Sequence, residues 1–151
     1  MVRPGCLSDV EACIVLAQNA WAESPVYSRI PLEPQLLLNR VLNDPSYVLF
    51  VSESEDGSLN GMFLGQLTRG LYTSDAGLIA SNVLFYVLPH ARRIAPMRLI
   101  AAFEKWAEDN DAAQIHLTTS GTTLRNIASN MRLFDALGYT LNGIQTHKVL
   151  K

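Results

Sequence analysis

Apolar and polar positions alternate along this chain in blocks whose period switches between that of a helix and that of a strand. Val10, Cys13, Ile14 and Ala17 recur at helical spacing and predict a helix ending near Ala22. Ser8-Asp9-Val10-Glu11 has the spacing of a capping box, with Ser8 accepting from the Glu11 N–H and Glu11 reaching back. Ser24-Pro25 ends that helix. Pro34 suits the first turn of a second helix, which stops near Asn43 ahead of Asp44-Pro45. Tyr47–Ser52 is β-branched and aromatic, Glu55-Asp56-Gly57 is a turn, and Gly61–Thr68 is the returning strand of a hairpin. After a turn at Ser74-Asp75-Ala76-Gly77, Leu78–Leu88 reads as a long strand buried on both faces. Pro89 ends it. Pro96 opens a helix to about Asp109, with Leu99, Phe103 and Trp106 along one stripe.

Gln114–Thr118 is a short strand, and Leu124–Leu137 is a helix stopped by Gly138. Tyr139–Leu150 supplies one or two final strands. With Val2-Arg3 as a short first strand, the order is β-α-α-β-β-β-α-β-α-β. That is an α/β (α+β) chain in which an antiparallel meander feeds a strand–helix–strand crossover.

Composition narrows the class. The 151 residues are 48% hydrophobic and 17% charged, which suits one globular domain over residues 1–151 and excludes a disordered or repetitive chain. Val83–Leu88 is the longest strongly apolar run, too short to span a bilayer, and the first residues carry no signal-peptide pattern. A soluble, cytoplasmic protein with no membrane partner is the expectation. Cys6 and Cys13 are too few for a disulfide framework, and their spacing matches no zinc motif. Cys13, in an apolar helical run, is expected as a buried thiol. No metal is expected, because the three His and two Cys show no ligand spacing.

The net charge of -2 gives no sign of nucleic-acid binding. Residues 1–80 hold 4 basic against 9 acidic side chains, whereas residues 81–151 hold 8 against 5. The basic second half fits an anionic ligand bound there; an unevenly charged solvated surface fits equally.

The sequence-specific signal lies in two segments. Val83-Leu84-Phe85-Tyr86-Val87-Leu88-Pro89-His90-Ala91-Arg92-Arg93 is an apolar strand ending in V-x-P, then two residues and an arginine pair. Arg92-Arg93-Ile94-Ala95-Pro96-Met97 follows, in the place of a [Q/R]-x-x-G-x-[G/A] loop. Leu133-Phe134-Asp135-Ala136-Leu137-Gly138-Tyr139 resembles an L-Y-x-x-x-G-[F/Y] helix end, with Phe134 in the place of the tyrosine. In these segments and in element order the chain resembles the GNAT superfamily of acyl-CoA-dependent N-acetyltransferases. The resemblance implies a mixed, mostly antiparallel twisted sheet with a V-shaped splay between central strands, flanked by about four helices.

It also implies acetyl-CoA as cosubstrate and direct transfer of its acetyl group to a primary amine, with a homodimer as the expected assembly. The runner-up is a non-catalytic domain of the same fold, used for CoA binding or assembly. Ala95 and Met97 stand where glycines are usual, and Pro96 has no N–H.

The same resemblance locates the candidate residues. Arg92, Arg93, Ile94, Ala95, Pro96 and Met97 would hold the pyrophosphate at a helix N-terminus, or form only a solvated basic turn. Phe85, Tyr86 and Val87 would hold the pantetheine arm through their backbone, as a strand would. Asn126 would bond the arm or a water, or be a surface amide. Ser81 and Asn82 fall where many members keep a glutamate base; neither titrates near neutrality, and they would position a water or merely start a strand. His116 is the titratable alternative base. Phe134 falls where many members keep a tyrosine acid, and it would pack on the thioester arm or in the core. Trp21, Tyr27, Arg29 and Tyr72, with Asp75, would wall the acceptor side.

Overall fold

A computed structural model describes residues 1–24, 33, 35, 41–70, 77–118 and 124–143, with the backbone alone for residues 124–127. Among them five strands form one sheet in the order β1 (Val2–Pro4), β2 (Tyr47–Glu53), β3 (Leu59–Arg69), β4 (Leu78–Val87) and β5 (Ala112–His116). The first four pair antiparallel, and β4 pairs with β5 in parallel. Helix α1 (Val10–Glu23) connects β1 toward β2, α2 (Ala95–Asp109) crosses from β4 to β5, and α3 (Leu124–Ala136) follows β5. Among the described residues no helix is long and apolar enough to cross a membrane. Residues 41–43 are helical, as expected for the end of a second helix; most of the segment before them lies outside the described residues. So do the expected turn at Ser74-Asp75-Ala76 and the strands after residue 143. Residues 139–143 form no strand.

Alternation along β2 and β3 sorts the core into two layers. Leu49, Val51, Met62 and Leu64 point to α1 and pack with Cys13 and Leu16. Phe63 and Ala80 point the other way, against Leu99, Ile100 and Phe103 of α2 and Phe134 of α3. Cys13 is fully buried, as its helical setting implies, and burial pushes its thiol up to about 11. Leu99, Ile100 and Phe103 are completely enclosed, each worth about 1.5–3 kcal/mol of transfer free energy. Trp106, on the same stripe, is half-buried and stacks on Phe103 at 5.6 Å between ring centres.

Several boundaries differ from the expected ones for physical reasons. The cap of the first helix sits earlier. A 3-10 turn, Leu7–Asp9, precedes α1, and the Asp9 carboxylate accepts from the Cys6 N–H at 2.8 Å, while Ser8 is exposed. Asp9 outcompetes the Ser8–Glu11 pairing because Arg3 of β1 donates to both its oxygens, at 2.7 and 2.8 Å.

Strand β5 begins and ends two residues before the expected span. Asp111 adopts φ 56, a left-handed conformation that aspartate tolerates, and turns the chain straight from α2 into the sheet. Strand β4 is not buried on both faces. A bulge breaks its register with β3 between Leu64 and Gly65 and leaves Val83 39% exposed. The end of α3 fits its expected stop: Gly138, at φ 86, lets the Tyr139 N–H reach the Phe134 carbonyl at 2.9 Å and its own N–H reach Asp135 at 3.0 Å. The Phe134 and Tyr139 rings meet across that turn at 5.9 Å, the apolar contact that accompanies such a Schellman cap.

Candidate functional site

The parallel ladder between β4 and β5 is short. Its last partners are Ser81 and His116, whereas β4 runs on to Val87. Beyond Ser81, β4 keeps β3 on one side and has no β5 partner on the other. Backbone groups along a strand point alternately to its two neighbours. The Leu88 N–H donates to Asn60 on the β3 side, and the Val87 carbonyl faces the open side, where the Arg92 Nε donates to it at 2.9 Å. By the same alternation the Phe85 N–H and carbonyl face the opening.

Asn82 sits where the strands part. Its amide is spent on the backbone of the diverging chain: the Thr118 N–H donates to Oδ1 at 2.7 Å, and Nδ2 donates to the Thr118 carbonyl at 3.1 Å. The side chain thus stands in for the missing ladder rung at the vertex. Ser81 and His116 are brought side by side as register partners, with Gln66 as Ser81's partner on β3. Gln66 Nε2 donates to Ser81 Oγ at 3.4 Å, and His116 Nε2 meets Gln114 Oε1 at 3.1 Å. Sequence reasoning missed Gln66, which strand alternation alone places on that face.

At the other end of β4, the 3-10 turn Pro89–Ala91 and residues 92–94 lead into α2. Ile94 is the N-cap residue of α2 and, being apolar, caps no N–H with its side chain. The N–H groups of the first turn therefore stay open to an anion, apart from Pro96, which has none. Ala95 is buried, and Met97 is 49% exposed, so its side chain leaves the helix toward solvent. Arg93 is exposed and has no ion pair among the described residues.

Arg92 is engaged differently from a free phosphate ligand. Besides the Val87 carbonyl, it donates from Nη2 to Glu23 Oε2 at 2.9 Å and lies 5.7 Å over the Tyr86 ring. Tyr86 Oη donates to Glu23 Oε1 at 2.5 Å. Burial raises the Glu23 carboxyl, but the Tyr86 and Arg92 hydrogen bonds and the Arg92 charge outweigh it and hold the group below the usual carboxylate range. Burial and the Glu23 carboxylate push the Tyr86 phenol up to about 12. Glu23, like Gln66, is a residue that sequence reading passed over. Its one local signal is a carboxylate in the last turn of a helix, where the dipole disfavours it and a cation is wanted.

Tyr139 donates to Glu104 at 2.7 Å; burial first, then that carboxylate, hold its phenol well above the ordinary value. Phe134 is 6% exposed within the α2-side core. Trp21 is half-buried in the last turns of α1. Tyr27, Arg29, Tyr72 and the Asn126 side chain lie outside the described residues. Among the described residues no group of three or more His, Cys, Asp or Glu is placed to hold a metal ion.

No protein-family model and no curated protein matches the sequence. Solved structures do match in three dimensions. The aminoglycoside N-acetyltransferase AAC(6')-Iy, in complex with the bisubstrate analogue CoA-S-monomethyl-acetylneamine, superposes with a TM-score of 0.77 at 16% identity, over 100% of this chain and 97% of that one. The aminoglycoside 6'-N-acetyltransferase AAC(6')-Ih from Acinetobacter baumannii gives 0.74 at 15% identity, over 100% and 97%. A transcriptional regulator from Bacillus halodurans C-125 gives 0.74 at 18% identity, over 98% and 99%.

The chain has the GNAT fold. Within the GNAT fold the opening beyond Ser81 is the expected V-shaped splay; residues 92–94 lead from the central strand to its crossover helix, and residues 95–97 form the first turn of that helix. One fold carries several functions, as the range of these neighbours illustrates, so activity has to be argued from the site.

Proposed function

We propose that this chain is an N-acetyltransferase that moves the acetyl group of acetyl-CoA to a primary amine by direct attack. The observation that carries the reading is the splay: β4 continues past its last β5 partner, with the Phe85 backbone groups facing an opening that no strand fills among the described residues, and leads to a helix N-terminus without a side-chain cap. A pantetheine arm can pair with Phe85 and Val87 as a strand does, while the α2 first turn, Arg93 and the basic turn receive the pyrophosphate. The aminoglycoside acetyltransferases that share the fold support an amine acceptor, and aminoglycosides are the acceptors to try first.

In the reaction, a neutral amine attacks the thioester carbonyl carbon, the C–S bond breaks, and the amine's proton passes to water or to the departing thiolate. The CoA thiolate leaves readily near neutrality, since thiol pKa values lie near 8.5. Ser81, His116 and Gln66 share one face at the vertex and are the groups placed to orient the amine or a water. No tyrosine acid is required. Tyr86 and Tyr139 are both committed to carboxylates. Orientation alone can supply roughly 7–11 kcal/mol.

Calorimetry with acetyl-CoA, followed by thiol release against an amine panel that includes aminoglycosides, tests the proposal. Saturable binding with amine-dependent thiol release is expected. No binding at millimolar acetyl-CoA overturns it. The sequestration of Arg92 favours one alternative, a non-catalytic module, for which binding without release is the signature.

A further inference from the structure

The Glu23–Tyr86–Arg92 cluster lies at the end of the splay that the cofactor would enter, and it occupies two groups the cofactor would need. Arg92 Nε holds the Val87 carbonyl, the open-side acceptor nearest the pyrophosphate loop, at 2.9 Å. Glu23 holds the Arg92 guanidinium at 2.9 Å, and both side chains are 36% exposed. Glu23 is not a base for the acetyl transfer itself: Tyr86, its partner, lies about 16 Å along the strand from Ser81 at roughly 3.3 Å per residue.

We propose that Glu23 and Arg92 form a latch across the cofactor entrance, opened when the CoA pyrophosphate takes the guanidinium from Glu23 and so frees the Val87 carbonyl for the pantetheine arm. This inference rests on the proposed acetyl-CoA site. The exchange is chemically balanced: one charge-assisted acceptor replaces another, a diphosphate with more oxygens and more negative charge displaces a single carboxylate, and no covalent bond changes. The Tyr86 hydroxyl keeps Glu23 solvated within the protein after release, so the carboxylate is not left without a donor.

Calorimetry with CoA on wild type, Glu23→Gln, Glu23→Ala, Arg92→Ala and the double variant Glu23→Gln/Arg92→Ala reads the latch. Breaking it should tighten CoA binding by about two- to fivefold, the scale of a part-exposed ion pair. The gain should vanish when Arg92 is already absent. Glu23→Gln retains the size and hydrogen-bonding capacity of the side chain and guards against a folding defect in Glu23→Ala. Weaker or unchanged binding in both Glu23 variants overturns the latch, since Glu23 would then merely orient Arg92 or do nothing for CoA. A gain that persists in the double variant overturns it too, because simple repulsion between Glu23 and CoA would explain it. Absence of CoA binding in every variant defeats the acetyl-CoA site itself, and the latch with it; equal binding in all five defeats the latch alone.

Discussion

Replacing Asn82 with alanine should loosen the vertex of the splay more than its half-exposed position suggests. Two hydrogen bonds to the Thr118 backbone, at 2.7 and 3.1 Å, are lost together. Each is worth about 0.5–1.5 kcal/mol net. Water can reach Thr118 after the change, since that residue is exposed, so the lower part of the sum applies, about 1–2 kcal/mol. For a chain of this size 1 kcal/mol moves Tm by about 2–4 °C, so a drop of about 2–8 °C is expected. Ser81→Ala is the control: among the described residues Ser81 Oγ has only a long 3.4 Å contact from Gln66, and its loss should fall within about 0.5 kcal/mol of wild type.

The assay is thermal and urea unfolding by circular dichroism, with amide exchange at Thr118 followed by NMR. Asn82→Ala should expose that amide while the β3–β4 ladder stays protected. A Tm within a degree of wild type, together with unchanged Thr118 exchange, would refute the claim that this side chain holds the diverging strands.

Two further outcomes follow from the core and from the β1–α1 junction. Gly65→Ala would set a Cβ 2.2 Å from Cε2 of the enclosed Phe103, an overpacking that should cost about 1–3 kcal/mol in urea unfolding, and a variant as stable as wild type would mean that α2 stands off from β3. Hydrogen bonds from Arg3 hold the Asp9 carboxyl well below its usual range despite burial; the unfolded chain binds the proton first, so this contribution is present above the unfolded value of about 3.9 and is lost as pH falls below it. Asp9→Asn should therefore lower stability at neutral pH and flatten its decline between about pH 5 and 3; an unchanged slope in that window would locate the acid sensitivity elsewhere.

How much of this was legible in the sequence depends on how far each interaction reaches along the chain. Helix α2 and the Gly138 stop were readable because the Leu99–Phe103 stripe and a left-handed C-terminal glycine are decided within a few residues. The α1 cap was misplaced because two overlapping boxes compete locally and the winner is chosen by Arg3, which acts from a strand on Asp9. The bulge in β4 leaves no pattern in an unbroken apolar run; only the register with β3 reveals it. At the site, the V-x-P ending and the arginine pair announced the loop. That Arg92 is held by a carboxylate 69 positions earlier was not legible, since an arginine reads the same whether it is paired or free. That Asn82 also bridges to the backbone of Thr118 was not legible, because such a bond depends on where β5 ends.

Helix α1 behaves mechanically like a beam pinned at both supports. Asp9 fixes its start to Arg3 on the outermost strand, and Glu23 fixes its end to Tyr86 and Arg92 at the mouth of the splay. Between those supports Cys13, Leu16 and Ala17 seat the helix on the sheet, so releasing the Glu23 support frees only the turns beyond Ala17. Opening of the entrance would then be a local loosening of the last turn of α1 on a fixed shaft. Hydrogen exchange in the last turn of α1 should quicken in Glu23→Gln, while the first turn stays as slow as before.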